Sequence, residues 1–299
     1  MNRLQLTLLF IICTLTGYSQ NYVDLLKVDY NYSAGNEFDG LEETSDVKEL
    51  VVDATIPIPI NDNLAILSGF VYENVLVTPY SGSNELSVHT VNLKMGLNKT
   101  YNDRWSATYI LLPKFSSDLK AISGADFQMG AVALFKNTKS DNLNFKYGVY
   151  YNSELFGTFI VPFFGMYYQK DKWELTMLLP ANVKATYSVT PLLDVGVRFN
   201  GFIKSFHLND EFNGLDQYLT KANNEVGVFI GTNLGPVVAQ VMIGRSIGRR
   251  YRTYEVGDQM GLALSAIKIG DERTQLNTDF VDGMVMKTSL VYRLDLSDR

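Results

Sequence analysis

Beyond its first 19 residues this 299-residue sequence lacks both long hydrophobic runs and cysteine; its one cysteine, Cys13, lies inside that stretch. No later segment approaches the roughly 18 consecutive apolar residues of a spanning helix, which excludes a helical membrane protein. Without cysteine, disulfides, thiolate metal sites and cysteine nucleophiles are excluded. Histidine is scarce, with only His89 and His207, and no helical His-Glu pair exists to hold a transition metal. A basic excess is also missing: 26 Lys and Arg stand against 32 Asp and Glu, for a net charge of −6. Removing residues 1–19 takes away Arg3 alone and leaves −7. A nucleic-acid partner would need a basic face, so none is expected. Glycine-rich phosphate loops are absent as well, and nothing points to a cofactor.

Residues 1–19 read as a secretory signal. Arg3 supplies a positive start, Leu4 to Leu15 an apolar stretch shorter than the roughly 20 residues of a spanning helix, and Gly17-Tyr18-Ser19 small residues ahead of Gln20. Lipidation of Cys13 is disfavoured, because Ile12 precedes it. The expected division is therefore signal peptide 1–19 and a single domain 20–299.

That domain is rich in glycine, tyrosine and phenylalanine (23, 18 and 17) and alternates apolar with polar residues. Trp105, Ala107, Tyr109 and Leu111 share one face of a strand, while Arg104, Ser106 and Thr108 share the other. The same period of two sets Phe127, Met129, Ala131, Ala133 and Phe135 against Asp126, Gln128 and Lys136. Candidate strands reach roughly 10–15 residues, beyond the 5 or 6 usual in globular proteins, and a tilted strand needs about 9–11 to cross the hydrocarbon. Tight Asn, Asp, Gly and Pro turns at 61–63, 101–103, 139–141, 170–172, 190–191 and 235–236 alternate with other connections. Most of those are longer, near 35–46, 79–85, 115–124, 208–221 and 251–281, and two are compact, near 153–157 and 181–182. In lipid every backbone polar group needs a partner, so such a chain can span a membrane only as a closed barrel.

The predicted fold is all-β: a single antiparallel up-and-down transmembrane β-barrel with short periplasmic turns and longer outside loops. It has about fourteen strands, near 22–34, 47–60, 63–78, 86–99, 104–114, 125–138, 142–152, 158–169, 172–180, 183–189, 192–207, 222–233, 237–250 and 283–295, with twelve as the alternative. The eighth is apolar on both faces, and a helical piece is expected around Leu262 to Ile267 inside the outside loop or partial plug 251–281. Trp105, Trp173 and Tyr187 stand beside short turns, as an aromatic girdle would.

Several short motifs resemble those of a Gram-negative outer-membrane β-barrel family of unknown function. They are the signal ending Gly17-Tyr18-Ser19-Gln20, Leu111-Leu112-Pro113 and Leu178-Leu179-Pro180, Tyr187-Ser188-Val189-Thr190, and Val291-Tyr292-Arg293-Leu294. The chain departs from many such barrels in ending Leu296-Ser297-Asp298-Arg299 instead of in an aromatic residue. The resemblance implies a fold and an outer-membrane location, with outer-membrane lipid and the barrel-assembly machinery as partners. It implies no catalytic residue.

Three functional readings follow. In the first, the barrel is a channel or transport-type barrel for small solutes, its lumen lined by Lys27, Asp29, Asp53, Thr108, Gln128, Lys146, Asp194, Arg198, Lys204 and Lys287. Their mixed signs imply weak selectivity or pairing across the lumen. In the second, the lumen is filled and the barrel is structural. The third is a lipid hydrolase using Ser87 and His89, which alternate onto the apolar face, but no third residue is identifiable to orient the ring. The sequence is therefore read as a non-enzyme. His207 reads as an interfacial side chain. Arg245, Arg249, Arg250 and Arg252 read as a rim that could meet lipopolysaccharide, and Asp39, Glu42, Glu43 and Asp46 as a solvated acidic loop able at most to attract calcium.

Overall fold

The structure is a computed structural model and describes residues 22–212 and 215–295; the predicted signal peptide lies outside the described residues. Fourteen strands form the wall. Rising strands are β1 (Tyr22–Glu37), β3 (Leu64–Val77), β5 (Trp105–Ser117), β7 (Leu143–Glu154), β9 (Trp173–Leu179), β11 (Leu193–Phe212) and β13 (Val237–Glu255). Returning strands are β2 (Thr44–Asn61), β4 (Leu86–Thr100), β6 (Phe127–Ser140), β8 (Gly157–Lys170), β10 (Asn182–Thr190), β12 (Leu215–Leu234) and β16 (Met284–Asp295). Each pairs antiparallel with its neighbours in sequence, β13 with β16, and β1 with β16 from Tyr22↔Asp295 to Tyr32↔Met286, which closes the cylinder.

Alternation sets the two faces. On β1, Leu26 and Tyr30 are exposed outward while Asp29 and Asn31 are buried; on β2, Ile56, Ile58 and Ile60 are exposed outward. β4 presents Val91, Leu93, Met95 and Leu97 outward, and β16 presents Met284, Met286, Leu290 and Tyr292. A continuous apolar band thus faces out and the polar side chains face in, the reverse of a soluble barrel. Gly235, in the left-handed region at φ 63°, makes the tight turn from β12 to β13.

Two expectations about the outer end are corrected. The segment 208–221 is not a loop: β11 and β12 continue as one long hairpin whose described register runs from Leu193↔Thr232 to Phe212↔Leu215. Within 251–281 the expected helical piece is instead a short hairpin of β14 (Leu262–Leu264) and β15 (Ile267–Ile269), with β14 running parallel to β8 at Phe159 and Ile160. Local apolar residues there pair with an available strand edge, which a helix could not satisfy.

The hairpin β9–β10 is low. β9 covers β8 only from Phe164 downward, and β10 leaves β11 at Asn200. Above that level β11 quits the wall and crosses the lumen to β5, where His207 pairs with Ser117. Ser205, Phe206, His207 and Leu208 on β11, and Gln217 to Lys221 on β12, are buried on both faces because each face now meets protein. One face of the crossing hairpin joins a core of Val47, Val75, Val77, Val88, Phe206, Leu219, Tyr251 and Phe280. A second core of Phe156, Phe159, Val161, Tyr218, Tyr254 and Met260 lies against β8. That packing explains why the eighth strand is apolar on both sides.

Candidate functional site

The lumen is divided in depth. Its outer half is closed by protein and ion-paired. Lys221, fully buried, reaches Glu49 at 2.5 Å and Glu73 at 2.7 Å, and Lys204 donates to Glu73 from across the lumen. Lys287 pairs with Glu225 at 3.4 Å, and Lys114 with Glu154 at 2.7 Å. Charges taken this far from water need partners and satisfied hydrogen bonds, and each of these has them.

Glu154 also ties down the crossing strand. Its Oε2 accepts from the Ser205 backbone N–H at 2.8 Å and from the Ser205 hydroxyl at 2.5 Å, while its Oε1 accepts from Asn152 at 2.6 Å. Ser116 donates to the Ser205 carbonyl at 2.8 Å, and the Asp118 N–H to the His207 carbonyl at 3.1 Å. His207 is therefore not interfacial. It is 2% exposed, with Nδ1 2.7 Å from Asp126 and Nε2 2.8 Å from Asp216. Asp126 is held in position by a 3-10 turn, Gly124–Asp126, capped by Ser123. Sequence pattern could not find this, because the inward bend of β11 reverses which residues are enclosed.

The inner half is different. Lys136 lies directly opposite Lys146 on β6 and β7, and Lys184 directly opposite Arg198 on β10 and β11. All four fall on the inward face and are only half-buried. Among the described residues no carboxylate forms a salt bridge with Lys146, Lys184 or Arg198; Arg198 donates to Asn200 at 3.1 Å. Like charges directly across a strand pair are unfavourable unless something negative comes between them.

Of the residues expected to line the lumen, the structure places Lys27 and Asp29 together on β1 (2.7 Å) and Asp53 beside Lys94. It places Thr108 under Asn98 (2.7 Å) and Asp194 between Ser188 and Asn233 (both 2.8 Å). Lys146 and Arg198 join the inner cationic group. Gln128, Lys204 and Lys287 sit in the outer closure instead, Gln128 reaching the Ser205 carbonyl at 3.5 Å. Lys184, Glu49, Glu73, Glu154 and Glu225 were missed, and Lys136, already assigned to the polar face of its strand, was not counted among the lining residues. Only Lys184, between Val183 and Ala185, carries a clear alternation signal; the others have a polar or tyrosine neighbour in sequence that blurs it. At the opposite end Trp105 and Trp173 are exposed, and Trp173 meets Tyr187 at 4.9 Å between ring centroids.

The arginine rim is also revised. Arg249 turns inward to Ser33 (2.8 Å) and Asn36, and Arg252 is held by both oxygens of Asp279, so neither faces lipid. In the acidic loop, Asp46 accepts from Tyr32 at 2.8 Å and from the Gly35 N–H at 2.9 Å. Among the described residues no group of three metal-ligating side chains converges. The loop between β13 and β16 is docked. Asn277 donates to the Tyr251 and Pro79 carbonyls at 2.7 and 2.8 Å, and Arg273 lies 4.2 Å over the Tyr254 ring. The hydrogen bond from Arg273 holds the Asp271 carboxyl well below the usual carboxylate range.

Similar architectures occur among solved structures. An outer membrane channel from Pseudomonas putida F1 is 9% identical, with a TM-score of 0.46 over 90% of this chain and 94% of that one. A Pseudomonas aeruginosa FadL homologue is 10% identical, with a TM-score of 0.45 over 93% and 91%. The NanC porin is 10% identical, with a TM-score of 0.36 over 90% and 100%. No curated protein matches the chain. A family model does match, over residues 81–257, and the chain belongs to that family, described as a domain of unknown function, DUF6268.

Proposed function

We propose that this protein is a channel of the bacterial outer membrane that favours small anionic solutes and is gated by the β11–β12 hairpin. The observation that carries the reading is the inner lumen's two like-charged cross-strand pairs, Lys136–Lys146 and Lys184–Arg198. Like charges held side by side in a low-dielectric wall concentrate counter-ions. Solutes would enter this vestibule from the periplasmic end and pass outward once the hairpin swings back toward the wall above β9–β10. The band of outward apolar residues and the exposed aromatics support the membrane setting, with lipid as its surroundings and the barrel-assembly machinery as its route of insertion. Arg250 remains available for lipopolysaccharide.

Planar-bilayer recording in a salt gradient tests this reading. The expected result is a small conductance with an anion-selective reversal potential, reduced by Lys146→Gln and Lys184→Gln together and raised by releasing the hairpin with Glu154→Gln. A second reading, a structural barrel, is favoured by the buried ion pairs that close the outer lumen. It is the conclusion if the folded release variant conducts no more than the parent protein.

A further inference from the structure

The outward face of β3 and β4 carries four polar side chains at the upper edge of the apolar band. Ser87 Oγ lies 3.1 Å from His89 Nε2. Across the strand pair, where Asn74 stands opposite His89 and Tyr72 opposite Val91, the Tyr72 hydroxyl lies 3.0 Å from His89 Nδ1. Asn74 Nδ2 donates to Ser87 Oγ at 2.9 Å and to the Val88 carbonyl at 3.2 Å. Asn74 Nδ2 also lies 3.3 Å from His89 Nδ1, so Nδ1 has both the Tyr72 hydroxyl and the Asn74 amide beside it. In the tautomer that carries its proton on Nδ1, donating to the Tyr72 oxygen, Nε2 accepts from the serine. A serine, a base within hydrogen-bond reach and a third group orienting that base together make an activated nucleophile. The sequence shows the first two; only strand pairing brings in Tyr72 and Asn74.

The surroundings indicate the substrate class. The four side chains are half-buried, and below them Phe70, Val91 and Leu93 are exposed outward. Further down β4, about 20 Å along the strand at its ordinary rise, an open apolar concavity of about 400 Å³ is lined by Met95, Leu97, Leu111, Ala131, Ala133 and Tyr151. On the cross-strand row of Ser87, two strands away, Lys48, ion-paired with Glu85 at 3.2 Å, stands at headgroup level. An ester with a long acyl chain and a polar head fits that order from top to bottom.

We propose that Ser87 and His89 form a nucleophile–base pair that hydrolyses acyl esters of membrane lipid on the outside of the barrel wall, with Tyr72 and Asn74 as positioning residues. Ser87 Oγ bonds to the ester carbonyl carbon as its proton passes to His89 Nε2. The carbon–oxygen bond to the alcohol then breaks, and the alcohol leaves with that proton. Water, deprotonated by the same nitrogen, attacks the acyl-serine, releasing the fatty acid and restoring Ser87. As Ser87 Oγ bonds to carbon, the Asn74 amide hydrogen it had accepted turns to the oxygen that becomes negative in the tetrahedral step.

The test uses the full mature chain, refolded in phospholipid–detergent micelles, with folding confirmed by the mobility shift on boiling. A fluorophosphonate probe should label the peptide containing Ser87, and a fluorogenic diacyl phospholipid should be turned over. Ser87→Ala should abolish both, and His89→Gln should slow both by about 100-fold or more, the usual contribution of a general base. Tyr72→Phe should shift the pH midpoint of labelling, which a purely structural tyrosine does not do. A folded parent protein that neither labels nor turns over lipid, or labelling that persists in Ser87→Ala, overturns the proposal. Conductance does not enter these readouts, so the channel reading stands or falls separately.

Discussion

Glu154 takes both the backbone N–H and the hydroxyl of Ser205 on one carboxylate oxygen, so a residue at the top of β7 holds β11 across the lumen it should border. The same carboxylate neutralises the buried Lys114. Glu154→Ala leaves that lysine buried without a partner and should lower stability by about 3–5 kcal/mol. Adding Lys114→Met should recover most of the loss, as read from urea unfolding in lipid vesicles. If the single and double variants unfold alike, the pair does not anchor the closure.

Lys221 makes a second test of the closed lumen, because it bridges Glu49 and Glu73. Lys221→Ala should be as costly as Glu154→Ala. Lys221→Met combined with Glu49→Gln should be milder, since Glu73 keeps Lys204. The midpoint of the boiling-induced mobility shift reports the ranking.

Facing can be read by charge insertion. Ala131 lies on the apolar concavity of the outer wall, so Ala131→Arg should cost roughly 2–4 kcal/mol in a bilayer. Thr108 faces the lumen, and Thr108→Arg should fold nearly as well as the parent. Gln128 also points inward but is packed against the Ser205 carbonyl, so Gln128→Arg should assemble yet loosen the hairpin. Equal assembly yields for Ala131→Arg and Thr108→Arg would reverse the two faces.

The loop before β16 should respond to acid. Burial would raise the Asp279 carboxyl, but the hydrogen bonds from Arg252 outweigh it and hold it below its ordinary value; the Asp282 carboxyl is lowered likewise by the N–H groups of Arg249 and Gly248. Groups depressed on docking contribute fully above the ordinary carboxylate value, about 3.9, and the contribution fades as pH falls through the docked value. A spin label at exposed position 267 should therefore keep constant mobility from pH 8 to about 4 and loosen below that. Asp279→Asn should loosen it already at pH 7.

Gly157 offers a backbone test of the same docking. It sits at φ 116°, and a Cβ there would lie 2.4 Å from the Met260 carbonyl oxygen. Gly157→Ala should cost at least about 1 kcal/mol and free the 256–283 segment to proteolysis while leaving the barrel heat-modifiable.

The period of two and the turn residues determined the strands. Ranges read from the sequence at β3, β4, β7 and β13 start within a residue of those in the structure, because an apolar face toward lipid tolerates no slip of one residue. The same alternation assigned Lys146 and Arg198 to the inward side. Tertiary structure alone decided where β11 leaves the wall, since that depends on β9 and β10 being too short to accompany it. From there upward inward and outward lose their meaning along the strand, and His207 becomes buried between two aspartates. Strand pairing alone also set Tyr72 and Asn74 beside His89, residues 17 and 15 positions away in the chain. A sequence fixes which face each side chain takes, and only the closed sheet determines what stands opposite it.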